Sequence, residues 1–287
     1  MRLLRILSLR LGVLALFVGC SCLAFSQEKD SAETKGKMHF TAGIACNSGL
    51  NYYGRVDSLH SRAIYPFVGL ALHNGLYMNA SFVFIDNSLQ SHEYAATLLE
   101  GGYNFTDHKG DWAGSFSLTK YFYREDVNLV QSAIKETASA SVTKLSKIID
   151  VTLGLNAKWS DRPDAGAEAG LDHILRFPHV IGSGVLVLDP SAYIYAGTQN
   201  FTRTYYEQQN LLIVPIAEQQ VTTNSRAFNV LAYEFSMPVV YGYKKFNLVF
   251  SPAYILPQNL LVIPGHPELS EQGTNLFYLT VSARFTF

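Results

Sequence analysis

What the chain lacks narrows the possibilities first. Beyond its opening residues, no apolar run approaches the roughly 18 residues that a membrane-spanning helix requires. If this protein crosses a bilayer, it does so with strands. Charged residues make up only 16% of the 287 positions and form no cationic block, which excludes nucleic acid as a partner. Cysteine is scarce: Cys20 and Cys22 lie in the N-terminal apolar segment and leave Cys46 alone, so no disulfide framework follows. Also missing are H-E-x-x-H, G-x-S-x-G, a P-loop and any Cys pair with ligand spacing. The sequence therefore offers no catalytic residue, no metal ligand and no cofactor site, and the expectation is a protein that is not an enzyme.

The N-terminus supplies a compartment. Arg2, Arg5 and Arg10 precede "LGVLALFVGCSCLAFSQ", a basic region, an apolar run and an A-x-S cleavage pattern from Ala24 to Ser26. Residues 1–26 read as an export signal and 27–36 as a short polar leader, with one domain over 37–287. A rival reading takes "FVGC" as a lipoprotein signal that would retain Cys20. Removing the three arginines leaves 19 Lys and Arg against 23 Asp and Glu, so the net charge moves from −1 to −4.

What is present is alternation. In the terminal "LFYLTVSARFTF", Phe277, Leu279, Val281, Ala283, Phe285 and Phe287 form one row, and Tyr278, Thr280, Ser282, Arg284 and Thr286 fall in the other. Strand side chains point alternately to opposite faces, and the segment matches the roughly 9–11 residues of a tilted membrane strand. Similar segments recur along the chain. "RAIYPFVGLAL" and "LYMNASFVFI" flank "HNG", a strong hairpin signal. In "IIDVTLGLNAKW", Ile149, Val151, Leu153 and Leu155 oppose Asp150, Thr152, Asn156 and Lys158.

About twelve such strands are expected, with ten and fourteen as the neighbouring even counts, in an all-β, closed antiparallel transmembrane β-barrel. With both termini on one side, short turns fall at "HNG", "TDHKGD", "LSK", "RFPHVIGSG" and "GYKK". Longer connections then fall on the outer side, at 49–61, 87–91, 125–133, 159–164, about 200–225 and about 257–274. Closure is required because backbone amides in hydrocarbon need partners, so the last strand should pair with one beginning near Lys37. Prolines 66, 190, 238 and 252 stand inside strands and should produce bulges or kinks.

The signal segment, the missing membrane helix, the alternation and the terminal "VSARFTF" together resemble an outer-membrane β-barrel protein of a Gram-negative bacterium. "AGTQNF" with its following "YY", and "FSPAYILPQN", are similar to outer-membrane proteins of the Bacteroidetes group that carry no assigned activity. The resemblance implies outer-membrane lipid as surroundings, and a terminal strand ending at Phe287 that is read by the barrel-assembly machinery.

Opposite the oily face, Glu100, Asp150, Lys158, Glu168, Asp172, Asp189, Glu234 and Arg284 collect with Asn79, Tyr193, Tyr195 and Tyr278. A Lys or Arg on the lipid face near midplane costs roughly 2–4 kcal/mol, so these charges should line the lumen. Their acidic excess favours cations in any pore. The outer connection at 200–225 carries Tyr205, Tyr206, Leu211, Leu212 and Ile213, which either extends the sheet as a hairpin or forms a recognition surface. The expected function is a narrow channel or passive uptake route for a small solute. The alternative is a non-conducting structural or surface-recognition barrel, and a barrel enzyme is the third reading.

Overall fold

The computed structural model describes residues 38–57, 59–125, 129–208, 226–262, 270–271 and 273–287. The expected signal, the leader and Leu211 to Ile213 lie outside the described residues. The strands are β1 His39–Asn47, β2 Arg62–Ala71, β3 Leu76–Asp86, β4 Glu93–Thr106, β5 Trp112–Tyr123, β6 Glu136–Lys144, β7 Asp150–Trp159 and β8 Pro163–Asp172. They continue with β9 Leu175–Pro178, β10 Val185–Leu188, β11 Ser191–Gly197, β12 Asn229–Ser236, β13 Val239–Tyr243, β14 Phe246–Pro257 and β15 Leu276–Thr286. One helix, α1, spans Asn200–Gln208, and a 3-10 turn spans Val130–Ala133.

These segments make twelve staves, because β9 continues β8, β10 leads into β11, and β13 continues β12. Neighbours pair antiparallel from β1 through β8, then β8 with β11, β11 with β12, β12 with β14 and β14 with β15. Closure comes from β1 against β15, in a register that sets Ile44 opposite Ala283. Phe287 N donates to Phe40 O at 2.8 Å, and the two rings lie 5.7 Å apart. The barrel is thus closed by the strand pair that the alternation implied.

Proline explains the split staves. Across the break the register is unchanged: Leu188 opposes Val239 and Ser191 opposes Ser236, a constant offset. Pro190, Pro238 and Pro252 sit beside one another in three neighbouring staves. Each lacks an N–H, so the ladder opens there, while each carbonyl still accepts a bond, from His173 N, Asp189 N and Met237 N at 3.0–3.1 Å. Pro66 likewise interrupts the β2–β3 ladder between Ile64 opposite Phe84 and Phe67 opposite Ser81 at the same offset, so all four prolines open a ladder without shifting it, which corrects the expectation of bulges. Register shifts occur elsewhere, at Val83/Phe84 opposite β4 and at Tyr195/Ala196 opposite β12.

The outward rows are apolar, with Leu99, Leu118, Leu153 and Leu155 exposed at mid-height. Exposed aromatics ring both ends: Phe40, Trp112, Phe285 and Phe287 on the short-turn side, and Tyr94, Phe122, Trp159 and Phe277 on the other. An apolar band between aromatic girdles is the surface that a lipid bilayer selects. No helix among the described residues is long and apolar enough to cross a membrane.

The core lies inside the barrel. Its outer half is filled by Tyr65, Val83, Ile85, Leu98, Tyr121 and Tyr195 from strands, together with Leu50, Tyr52, Tyr53 and Phe201 from connections. The sequence reading placed a set of charged residues in the lumen together with Asn79, Tyr193, Tyr195 and Tyr278. On β2 to β5 the inward rows near the outer ends are instead apolar and aromatic, where they meet connecting segments folded into the mouth, whereas β7 and β8 present Lys158 and Asp164 there.

Candidate functional site in the barrel lumen

The connection between β1 and β2, described at 48–57 and 59–61, turns inward and forms a plug. Its tip is a two-residue hairpin: Tyr52 N donates to Arg55 O at 2.7 Å, and Arg55 N to Tyr52 O at 2.9 Å. Tyr53 at φ 52° and Gly54 at φ 77° occupy the central positions, the positive pair of a type I′ turn. Glycine adopts that conformation freely, whereas tyrosine is strained there, so the surroundings must hold it. The Tyr53 ring lies 4.6 Å from Tyr52 and 5.2 Å from Tyr195, and Tyr52 meets Phe201 edge-on at 4.5 Å. Burial raises the Tyr53 phenol well above its ordinary pKa, with the Glu168 charge adding to the effect, so it stays protonated.

Arg55 fixes the plug. It is 1% exposed, and its Nε donates to both carboxylate oxygens of Glu271 at 3.2 Å. Nη2 donates to Gln199 Oε1 at 2.6 Å and to Gln258 O at 3.2 Å, and Nη1 donates to Tyr53 O at 3.3 Å. Glu271 in turn accepts from Thr202 Oγ1 and Leu261 N, both at 2.8 Å. A buried guanidinium needs this complete set of acceptors to offset its lost hydration. Three outer connections are therefore tied to one side chain.

Lys158 tethers the tip from the barrel wall. Its Nζ donates to Tyr53 Oη at 2.9 Å and stands 4.6 Å and 5.1 Å from the ring centres of Tyr53 and Tyr52. Lys158 lies opposite Asp164 in the β7–β8 ladder. The Asp164 carboxylate accepts from Asn200 N at 2.6 Å, Phe201 N at 2.8 Å and Thr198 Oγ1 at 2.6 Å. It thus caps α1 from another element, satisfying amides that a helix start leaves unpaired. That cap explains why residues 200–208 are helical, a correction to the expected hairpin extension. Tyr205 is half-buried against the lumen core, where burial raises its phenol pKa. Tyr206 lies on the same helix.

The predicted lumen residues separate into three levels. Lys158, Glu168, Tyr195, Glu234 and Tyr278 are buried just below the plug. Glu100 is held by Asn79 Nδ2 at 3.2 Å and Thr119 Oγ1 at 3.4 Å. Asp150, Asp172 and Arg284 are buried nearer the short-turn end, Tyr193 is buried opposite Glu234 in the β11–β12 ladder, and Asp189 is half-buried in the proline break. Asp150 accepts from Ser146 N and so braces the turn that precedes its own strand. Sequence reasoning missed Tyr52, Tyr53, Arg55, Asp164 and Glu271. The one available signal was "NYYGR", whose glycine follows the position that a tight hairpin needs.

No family model matches the chain, and no curated protein matches it. Similar solved structures include a KdgM porin, at 6% identity and TM-score 0.46 over 87% of this chain and 99% of that one. An outer-membrane channel from Pseudomonas putida F1 shares 13% identity with TM-score 0.48, over 89% and 97%. LpxR from Salmonella typhimurium shares 10% with TM-score 0.46, over 87% and 100%. With identities this low and TM-scores below 0.5, nothing about activity passes from them to this chain.

Proposed function

We propose that this protein is a small-solute channel of a Gram-negative outer membrane, shut in the conformation described by its own first outer connection. The observation that carries the reading is the charge of the inward rows. Glu100, Asp164, Glu168, Asp172, Asp189 and Glu234 outnumber Lys158 and Arg284. Each ionised group withdrawn from water costs several kcal/mol, so a barrel that was merely filled would be more stable with apolar side chains at these positions. An acidic lumen beneath a removable plug suits passage of cations or polar solutes. Export through a cleaved signal, and reading of the terminal strand ending at Phe287 by an assembly machinery, belong to the same proposal. An origin among the Bacteroidetes rests only on the two segments that carry the resemblance.

The apolar packing in the outer half favours a second reading, a permanently closed barrel that works through its outer surface. Planar-bilayer conductance of the refolded wild type and of Arg55→Ala separates the two. Discrete cation-preferring steps, more frequent in the variant, support the channel. A correctly folded barrel that is silent in both forms leaves only the closed reading.

A further inference from the structure

Lys158 is held as a ligand is held. Its amine donates to Tyr53 Oη and sits over two tyrosine faces, Asp164 stands opposite it in the β7–β8 ladder, and Glu168 stands opposite Tyr195, whose ring meets that of Tyr53. Aromatic faces with nearby carboxylates form the usual cage for an organic cation, since ring quadrupole and negative charge act together. Around the cage, polar atoms are left over. Tyr52 Oη, Asn156 Oδ1, Glu168 Oε2 and Glu234 Oε2 are buried without a hydrogen-bond partner among the described residues. All four can accept, and a buried acceptor without a donor is costly enough to call for an explanation. A single amine on a fixed stem cannot reach all of them.

We propose that this cage is a binding site for a small primary amine, with Lys158 as its tethered occupant. The proposal rests on the channel reading for the route by which the solute arrives. An entering amine takes the place of Lys158 against Tyr52 and Tyr53 and supplies donors to Glu168 and Asn156. Displacing Lys158 breaks its bond to Tyr53, the residue at the strained tip of the plug. Occupancy of the cage therefore loosens the plug from below, and Arg55 remains its other anchor.

The test uses n-propylamine, which carries the three carbons and the nitrogen that Lys158→Ala removes. By calorimetry on the refolded barrel, Lys158→Ala should bind n-propylamine at least tenfold more tightly than the wild type, whose cage is already filled. Tetramethylammonium and n-propanol should not reproduce this, because one lacks N–H donors and the other lacks the amine. Equal affinity in variant and wild type, or equal response to the controls, overturns the proposal. A second measurement does not depend on the variant folding. In wild-type protein labelled with 15N-lysine, the Lys158 amine resonance should move toward those of solvent-exposed lysines as n-propylamine is added. No movement at saturating amine also overturns it. Neither measurement requires conductance, so a silent barrel that binds the amine defeats only the channel reading.

Discussion

Arg55 Nη2 and Gln199 Oε1 meet at 2.6 Å although 144 positions separate them in the chain. Gln199 belongs to "AGTQNF", and Gln258 and Asn259, whose carbonyls accept from the same nitrogen, end "FSPAYILPQN". The two segments that carry the family resemblance therefore converge on one guanidinium, which gives them a shared structural task.

Removing that guanidinium should release the plug. Arg55→Ala leaves the Glu271 carboxylate buried without its cation, a loss of roughly 3–5 kcal/mol for a broken buried pair. The expected result is a lower unfolding temperature in heat-shift gels, with new protease cleavage within 48–61. Arg55→Lys should recover only part of the loss, since an ammonium lacks the planar fork.

Asp164 should behave as a remote helix cap. Asp164→Ala removes the acceptor of Asn200 N and Phe201 N, at a cost of about 0.5–2 kcal/mol. Hydrogen exchange should speed up at residues 200–204, while the β7–β8 ladder stays protected. Asp164→Asn should retain most of the protection. Unchanged exchange in the alanine variant would show that α1 does not depend on this cap.

Gly170 is fixed by contact with a ring rather than by its backbone angle. A Cβ there would lie 2.1 Å from Tyr193 Cε1. Gly170→Val should destabilise the barrel by about 1–3 kcal/mol, the usual cost of overpacking. Tyr193→Ala in the same chain should restore much of the heat-shift temperature, and failure of that rescue would mean that the strain lies elsewhere.

The short turn between β4 and β5 should respond to acid. Asp107 accepts from Trp112 N at 3.0 Å and Asp111 N at 2.7 Å, and these amide bonds, Trp112 first, hold its carboxyl below the usual range. A lowered folded pKa means that the turn is stabilised above the unfolded value of about 4. That contribution is lost as pH falls through the lower folded value. Amide protection at Asp111 and Trp112 should decline over that acidic interval, and Asp107→Asn should remove the dependence.

Much of the wall was legible because each strand states its own orientation. Ile149, Val151, Leu153 and Leu155 face outward and Thr152 and Lys158 inward for a reason contained within a dozen residues: period two and the partition of apolar side chains toward lipid. The short turns were legible for a related reason, since glycine and asparagine announce hairpins. The prolines were read as disturbances, but sequence could not show that Pro190, Pro238 and Pro252 fall side by side, because that depends on registers between separate staves.

The sequence by itself determined a closed barrel of about twelve strands, its apolar exterior and the pairing of its first and last strands. Local periodicity and the need to pair every amide in hydrocarbon are sufficient for those. Only the tertiary structure decided what fills the mouth. Connections have no period, and "NYYGR" turns inward because Lys158, Tyr195, Gln199, Leu231 and Glu271 are waiting there, all of them more than 100 positions away. An inward fold of that kind is stable only when partners from distant staves arrive together, so no single stretch of the chain can encode it.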